Sequence, residues 1–342
     1  MTKLDIIGNQ QEAQMLRAFL DAVADIKNQT KIGQLTAAIE RGDIDAAIRL
    51  LGLDPAAFEG MDEELRQAYR TGGFTGAAQF GSIPTPDGDV IMRFNMRSPA
   101  AEEWLRVNSS VLITEMVEGQ QEMVREVLTD DLAKGVNPRQ SALGLIGRMD
   151  NTGKRRGGFI GLTTQQTQWA STAREELETL NPNYFTRKLR DKRLDSVIRK
   201  AMNTDTPLSP AQINRAITRL QGRTLKYRGD VIARTESINA LRAGQDESIS
   251  QAIERGELEA QDAKGTWDSS GPDGRTRDSH LLMEGQERMH GVPFDFVLSI
   301  GQAMYPGDDS LGAEAKELIQ CRCRKNTTID FIGRLKRIEG FR

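Results

Sequence analysis

The stretch ARTESINALRAG, residues 233–244, sets the reading of the whole chain. It lies in a run from Asp230 to Arg255 where Val231, Thr235, Ile238, Leu241, Ile249, Ala252 and Ile253 recur at helical steps and Gly256 supplies a stop. One long helix with a buried side is predicted. On it Glu236, Asn239 and Arg242 follow at intervals of three, so their polar ends share a face and can bond to one another or to a neighbouring loop. Downstream the signals change to strand and turn. Thr266-Trp267-Asp268 leads into a Ser/Gly/Pro-rich turn, then come DGRTRDSH at 273–280, MYPGD at 304–308 and CRCR at 321–324, with 326–329 continuing a closing strand. These short elements are expected to form a small mixed sheet packed on the long helix. Both histidines, His280 and His290, and both cysteines, Cys321 and Cys323, fall in this part of the chain.

Upstream lies a basic tract. Between Arg187 and Arg228 there are twelve Lys/Arg against three Asp, a local charge of +9. Leu189, Leu194, Val197 and Ile198 give an apolar stripe to one helix, and Ser209-Pro210 opens another holding Ile213, Ala216, Ile217 and Leu220. The remaining faces carry Arg190, Arg193, Arg199, Lys200, Arg215, Arg219 and Arg223. Together with Lys154, Arg155 and Arg156 of the Gly-basic loop 151–161, these are the candidates for nucleic-acid contact, which would be salt-sensitive and blind to sequence. That loop lacks the order of a P-loop, because no Ser or Thr follows its lysine. It reads as a mobile basic loop.

The rest of the chain is mostly helical. Met15, Leu16, Phe19, Leu20, Val23 and Ile26 mark a first helix, and 32–40 and 43–51 two more, with Gly42 as stop and Asp43 as cap. A further helix is expected over 61–69. Residues 1–70 hold eight basic and twelve acidic side chains, which excludes a nucleic-acid surface there. Glycines and prolines crowd 71–97, which reads as a linker with a short strand over 89–96. Ser98-Pro99 then opens a long helix, and 138–148 and 163–180 follow as shorter ones. The expected organisation is a helical segment 1–70, a linker 71–97, a helical middle region 98–228, a C-terminal domain 229–330 and a basic tail 331–342. The fold class is α+β, mostly helical, with long helices and a small mixed α/β C-terminal domain.

Composition limits the function classes. Hydrophobic residues make up 38% and charged residues 28% of 342, net charge is −3 and mean hydropathy is −0.51. Affinity for nucleic acid must therefore come from a local patch. Two cysteines one residue apart cannot staple distant parts of the chain, which suits a reducing compartment. The first residues show no apolar core after a basic start, so no secretory signal is expected, and no run approaches the roughly 20 apolar residues of a bilayer span.

The order ARTESINALRAG, tryptophan, DGRTRDSH, MYPGD and CRCR resembles the phage head morphogenesis family, the Mu F-like minor head proteins of tailed phages. The resemblance covers 230–324. It implies a virion component, present in the capsid interior or at the portal vertex and in the host cytoplasm during assembly. Its expected partners are the portal protein, the major capsid or scaffolding protein and packaged double-stranded DNA, with no membrane in the assembled head. The positions that match the family are Arg234, Glu236, Asn239, Arg242, Trp267, Asp273, Arg275, Arg277, His280, Pro306, Gly307, Cys321, Arg322 and Cys323. Where the family commonly has an asparagine before Cys-Arg-Cys, this chain has Ile319-Gln320.

Three readings of these residues compete. As scaffold, Arg234, Arg242, Arg275, Arg277 and Arg322 pair with Glu236, Asp268, Asp273 and Asp278 in a buried polar network that docks the sheet on the helix. As a metal site, Cys321 and Cys323 on one face of a strand, about 7 Å apart, join His280 to offer S, S and N to zinc, with His290 or Asp278 as a fourth ligand. As an enzyme, Ser279 and His280 are adjacent in sequence and poorly placed as nucleophile and base, and nothing completes a site. The expected function is a minor capsid protein that is not an enzyme and carries no cofactor. It would serve procapsid assembly and contribute to packaging or ejection of DNA. The alternative is a metal-dependent or DNA-modifying enzyme carried in the head.

Overall fold

The computed structural model describes residues 3–85, 88–269, 271, 274 and 276–339. In chain order it runs α1 (Lys3–Gln29), α2 (Ile32–Glu40), α3 (Ile44–Leu51), α4 (Glu59–Phe80), the hairpin β1 (Ser82–Thr85) and β2 (Gly88–Ile91), α5 (Pro99–Ala133) and α6 (Pro138–Ile146). The short pair β3 (Arg148–Met149) and β4 (Arg155–Arg156) precedes α7 (Thr164–Glu178), α8 (Asp195–Asn203) and α9 (Pro210–Glu254). The C-terminal part holds β5 (Ala263–Asp268), α10 (Asp278–Leu281), β6 (Glu287–Met289), β7 (Phe294–Asp295), β8 (Gln302–Ala303), α11 (Ala315–Leu318), β9 (Arg324–Ile329) and α12 (Phe331–Glu339). The fold is mostly helical α+β. None of the described helices is long and apolar enough to cross a membrane.

The chain divides into two compact units that cut across the five consecutive segments read from the sequence. One gathers Met1–Leu16, Met61–Ser109 and Val231–Arg342, the other Arg17–Gly60 and Ser110–Asp230.

In the first unit the Gly-rich run after Tyr69 is not a linker. Helix α4 continues through it to Phe80, because the glycines that look like breakers are what a close helix contact requires. A Cβ on Gly72 would run into the Leu241 carbonyl, one on Gly76 into Ser248, and one on Gly244 into the Tyr69 carbonyl. Backbone thus lies on backbone, and packing outweighs the roughly 1 kcal/mol helix penalty of each glycine. The strand expected over 89–96 stops at Ile91, although Met92 and Phe94 stay buried.

Strand β5 is central in a three-stranded sheet of order β6-β5-β9, with Trp267 opposite Lys325 and Gly265 opposite both Arg288 and Thr327. Ala263, Gly265 and Trp267 point inward, as a period of two demands. The sheet is antiparallel throughout and not mixed. Parallel neighbours need a crossover of a dozen or more residues, usually a helix, and the described helices between β5 and β9 have four residues each. The expected basic tail is instead helix α12, tied down by Arg334 Nη1 on the buried Asp262 at 2.8 Å and Arg334 Nε on the Pro84 carbonyl at 3.0 Å.

In the second unit, Ala173, Leu177, Tyr184, Ile198, Ile213, Ala216, Ile217 and Leu220 form the core of α7, α8 and the first part of α9. The helices expected before and after residue 228 are one continuous helix of 45 residues. The Gly-basic loop is pinned: Gly158 N–H donates to Gln221 at 3.0 Å, and the buried Lys27 ammonium donates to the Gly157 carbonyl at 2.9 Å.

Candidate functional site

The C-terminal motifs meet around Trp267. With Met283, Phe294, Phe296, Ala303, Cys321 and Cys323 it makes a small core in which Trp267 itself is fully buried. His280 stands edge-on to the Trp267 ring, with centroids 5.9 Å apart at 88°. It is placed by α10, a single turn whose short length lets Ser279 and His280 both point inward.

Cys321 and Cys323 precede β9 and do not lie on a strand face. The irregular backbone, with Gln320 at a left-handed φ of 57°, frees the two thiols from the period of two and turns both toward His280. His280 Nδ1 is 3.0 Å from Cys323 Sγ and 3.7 Å from Cys321 Sγ, and the three donor atoms lie within 4.8 Å of one another. On the far side of the ring, Nε2 is 2.9 Å from Glu317 Oε2, which also accepts from Ser279 Oγ at 2.7 Å. The hydrogen bond from Cys323 holds the Cys321 thiol well below its ordinary range, helped by His280 and Arg242 against the effect of burial. Cys323 is pushed up by the same bond and by burial.

Neither of the fourth ligands expected from the sequence joins this group. Asp278 is exposed. His290 belongs to another cluster, with Ser250 Oγ 2.9 Å from its Nε2 and Asp246 Oδ1 3.7 Å from its Nδ1. The residue that sequence reasoning missed is Glu317. Its only signal is position, as an acid four residues before Cys321.

Among the described residues, several arginines of the expected network reach partners that the sequence did not name. Arg234 pairs with Glu12 at 2.8 Å. The buried Arg242 donates to the Pro306 carbonyl at 2.8 Å and the Cys321 carbonyl at 3.4 Å, and Arg277 donates to the Ile319 carbonyl. Asp268 is taken by Arg324 at 3.3 Å. Guanidinium groups here satisfy turn carbonyls that no strand partner reaches, which is what a loop-rich region needs. Glu236 and Asn239 are half-buried on α9, a side chain at Gly307 would meet Asn239 and Arg242, and Arg322 is exposed. Asp273 and Arg275 lie outside the described residues. A cavity of about 350 Å³ beside Cys321 is lined by Glu12, Arg234, Arg242, Arg322 and Lys325 among others.

The candidate nucleic-acid residues fall into two groups. Arg190 is held by Asp195 at 2.9 Å in a largely buried pair, and Arg193 and Arg223 share the buried carboxylate of Asp191 at 2.9 and 3.1 Å. Arg155 donates to the Gly147 carbonyl at 3.1 Å, and Arg199 lies over the Phe185 ring at 4.1 Å. Much of the local excess of charge is therefore spent internally. Lys154, Lys200, Arg215 and Arg219 are exposed, and so is Arg156, which is paired with Asp150 at 2.7 Å. Arg156, from the Gly-basic loop, and Arg219 and Arg223, from α9, line one cleft with Asp150, Gly157, Thr218 and Gly222, so two basic segments far apart in sequence share a surface that also holds one carboxylate. No family model, curated protein or solved structure matches this chain.

Proposed function

We propose that this chain is a minor capsid protein of a tailed bacteriophage, of the Mu F-like head morphogenesis kind. It associates with the portal and the capsid interior during assembly in the host cytoplasm. Packaged double-stranded DNA is contacted without sequence preference through the basic surface of Arg156, Arg215, Arg219 and their neighbours.

The observation that carries this reading is the convergence of the motif residues. Arg242 of ARTESINALRAG reaches the carbonyls of Pro306 and Cys321, Trp267 packs on His280, and His280 contacts both cysteines. Residues spread over 230–324 thus form one nucleus, which is what a shared domain signature, and not a chance run of motifs, calls for. The cleft between the Gly-basic loop and α9 supports the phosphate contacts.

The enzymatic alternative has one feature in its favour, the order Ser250, His290, Asp246. That order fails as a nucleophile, base and acid relay. The histidine to carboxylate distance of 3.7 Å is too long for a hydrogen bond, Lys325 already occupies the same Asp246 oxygen, and His290 is 8% exposed.

The test is association. Co-expressed with the portal protein of its own phage, the chain should co-purify with that protein, and it should be found by mass spectrometry in purified heads. Absence from purified heads together with no portal association refutes the reading.

A further inference from the structure

We propose that His280 Nδ1, Cys321 Sγ and Cys323 Sγ bind one Zn²⁺, with water at the fourth position, and that the ion acts as a staple for the C-terminal core. The inference rests on geometry within one unit and stands whether or not the chain is a virion protein.

Three observations carry it. The first is spacing. Zn–S bonds of about 2.3 Å and Zn–N bonds of about 2.0–2.1 Å at tetrahedral angles place a sulfur and a nitrogen roughly 3.5 Å apart, and the two Nδ1 to Sγ distances, 3.0 and 3.7 Å, bracket that value. The second is the far side of the ring. A histidine that ligates a metal through one nitrogen characteristically gives its other N–H to a carboxylate, which fixes tautomer and ring orientation. Glu317 Oε2 lies 2.9 Å from Nε2, off the N–H axis but next to it, and Ser279 donates to Glu317.

The third is need. From 278 to 323 the regular elements have two to four residues each. Their shared core is a handful of side chains around Trp267. Regions with so little regular structure and so small a core are the ones that proteins cross-link with a disulfide or a metal, and a CxC pair cannot bridge distant parts of the chain by itself. An ion at this point ties residue 280 to residues 321 and 323.

Charge is compatible with burial. Zn²⁺ with two thiolates is neutral, and the flanking Arg242 and Glu317 cancel, so no net charge is buried. The same burial argues for a structural role, because His280, Cys321 and Cys323 are 2%, 4% and 1% exposed. No fourth His, Cys, Asp or Glu joins the set among the described residues.

Untagged full-length protein, incubated with Zn²⁺ and dialysed, is expected to retain one zinc per chain by mass spectrometry of metals. Its Co²⁺ form should show a thiolate-to-cobalt charge-transfer band, and a chelator should lower the unfolding midpoint. Glu317→Gln should keep the stoichiometry while weakening zinc affinity by about 10–100-fold. Cys321→Ser with Cys323→Ser should abolish binding. If that double variant does not fold, the cobalt spectrum of the unaltered chain decides. Folded protein that keeps no zinc, a cobalt form without the sulfur band, or a folded double variant that still binds zinc at full stoichiometry overturns the assignment.

Discussion

Glu317 Oε2 lies 2.9 Å from His280 Nε2, and both side chains are almost fully buried. Removing the carboxylate strands a ring nitrogen and the Ser279 hydroxyl in an apolar core. Glu317→Ala is expected to cost about 1–3 kcal/mol, the penalty for buried polar groups left unsatisfied. Glu317→Gln, which keeps an acceptor for Ser279, should cost less than half of that. Denaturant midpoints of the two variants check the order, and equal losses would show that packing, and not the pair, is what Glu317 provides.

Gly244 and Gly222 lie on the same helix and should respond oppositely to alanine. A Cβ at 244 meets the Tyr69 carbonyl, whereas at 222 nothing stands within 4 Å. Gly244→Ala should destabilise by about 2–3 kcal/mol through overpacking. Gly222→Ala should stabilise by about 0.5–1 kcal/mol, by propensity alone. Thermal unfolding of both variants measures the contrast.

Burial lowers the Lys27 ammonium from an ordinary value of 10.5 to about 7. Between those values the unfolded chain binds more protons at this site than the folded one, so this contribution to stability rises with pH from about 7 and levels off above about 10.5. Below pH 7 the folded state carries the full cost of a buried charge. Lys27→Met should therefore be more favourable relative to wild type at pH 6 than at pH 9, by about 2–3 kcal/mol, since about two pH units of the shift lie between those values. Parallel urea titrations at the two pH values test the sign. A difference independent of pH would mean that Lys27 stays charged, its hydrogen bond to Gly157 compensating for burial.

The two groups of basic residues should separate in a DNA-binding titration. Arg219→Ala should weaken binding to duplexes of any sequence and reduce the slope of log affinity against log salt by about 0.9, the release of one phosphate contact. Arg190→Ala should leave that slope unchanged and instead lower stability by about 3 kcal/mol, because it strands the largely buried Asp195. Fluorescence anisotropy at several salt concentrations, beside a melting curve, distinguishes them.

What the sequence made legible was local. Ser98 caps α5 by accepting from Ala101 at 3.2 Å, Asp43 caps α3 by accepting from Ala46 at 2.9 Å, and Tyr305 to Asp308 closes the turn that Pro-Gly announces. Each depends on residues within a few positions of one another. The His280, Cys321 and Cys323 grouping was also legible, through scarcity of those residue types, although a strand was the wrong support for it. What escaped was long-range. The TGGFTGAAQF run reads as a break unless its partner Leu241 is known, and Arg234 finds Glu12 across 222 positions. Glu317 carries no periodicity and no motif, and only the fold shows what it touches.

The sulfhydryls also make this chain its own reporter. Its two cysteines lie together in one sealed core, so any alkylating reagent reads a single locus, with no background from elsewhere in the molecule. The labelling rate is then a clock for the opening of that core, separable from global unfolding by its dependence on denaturant. A fluorescent maleimide and a stopwatch suffice to follow how often the Trp267 core breathes.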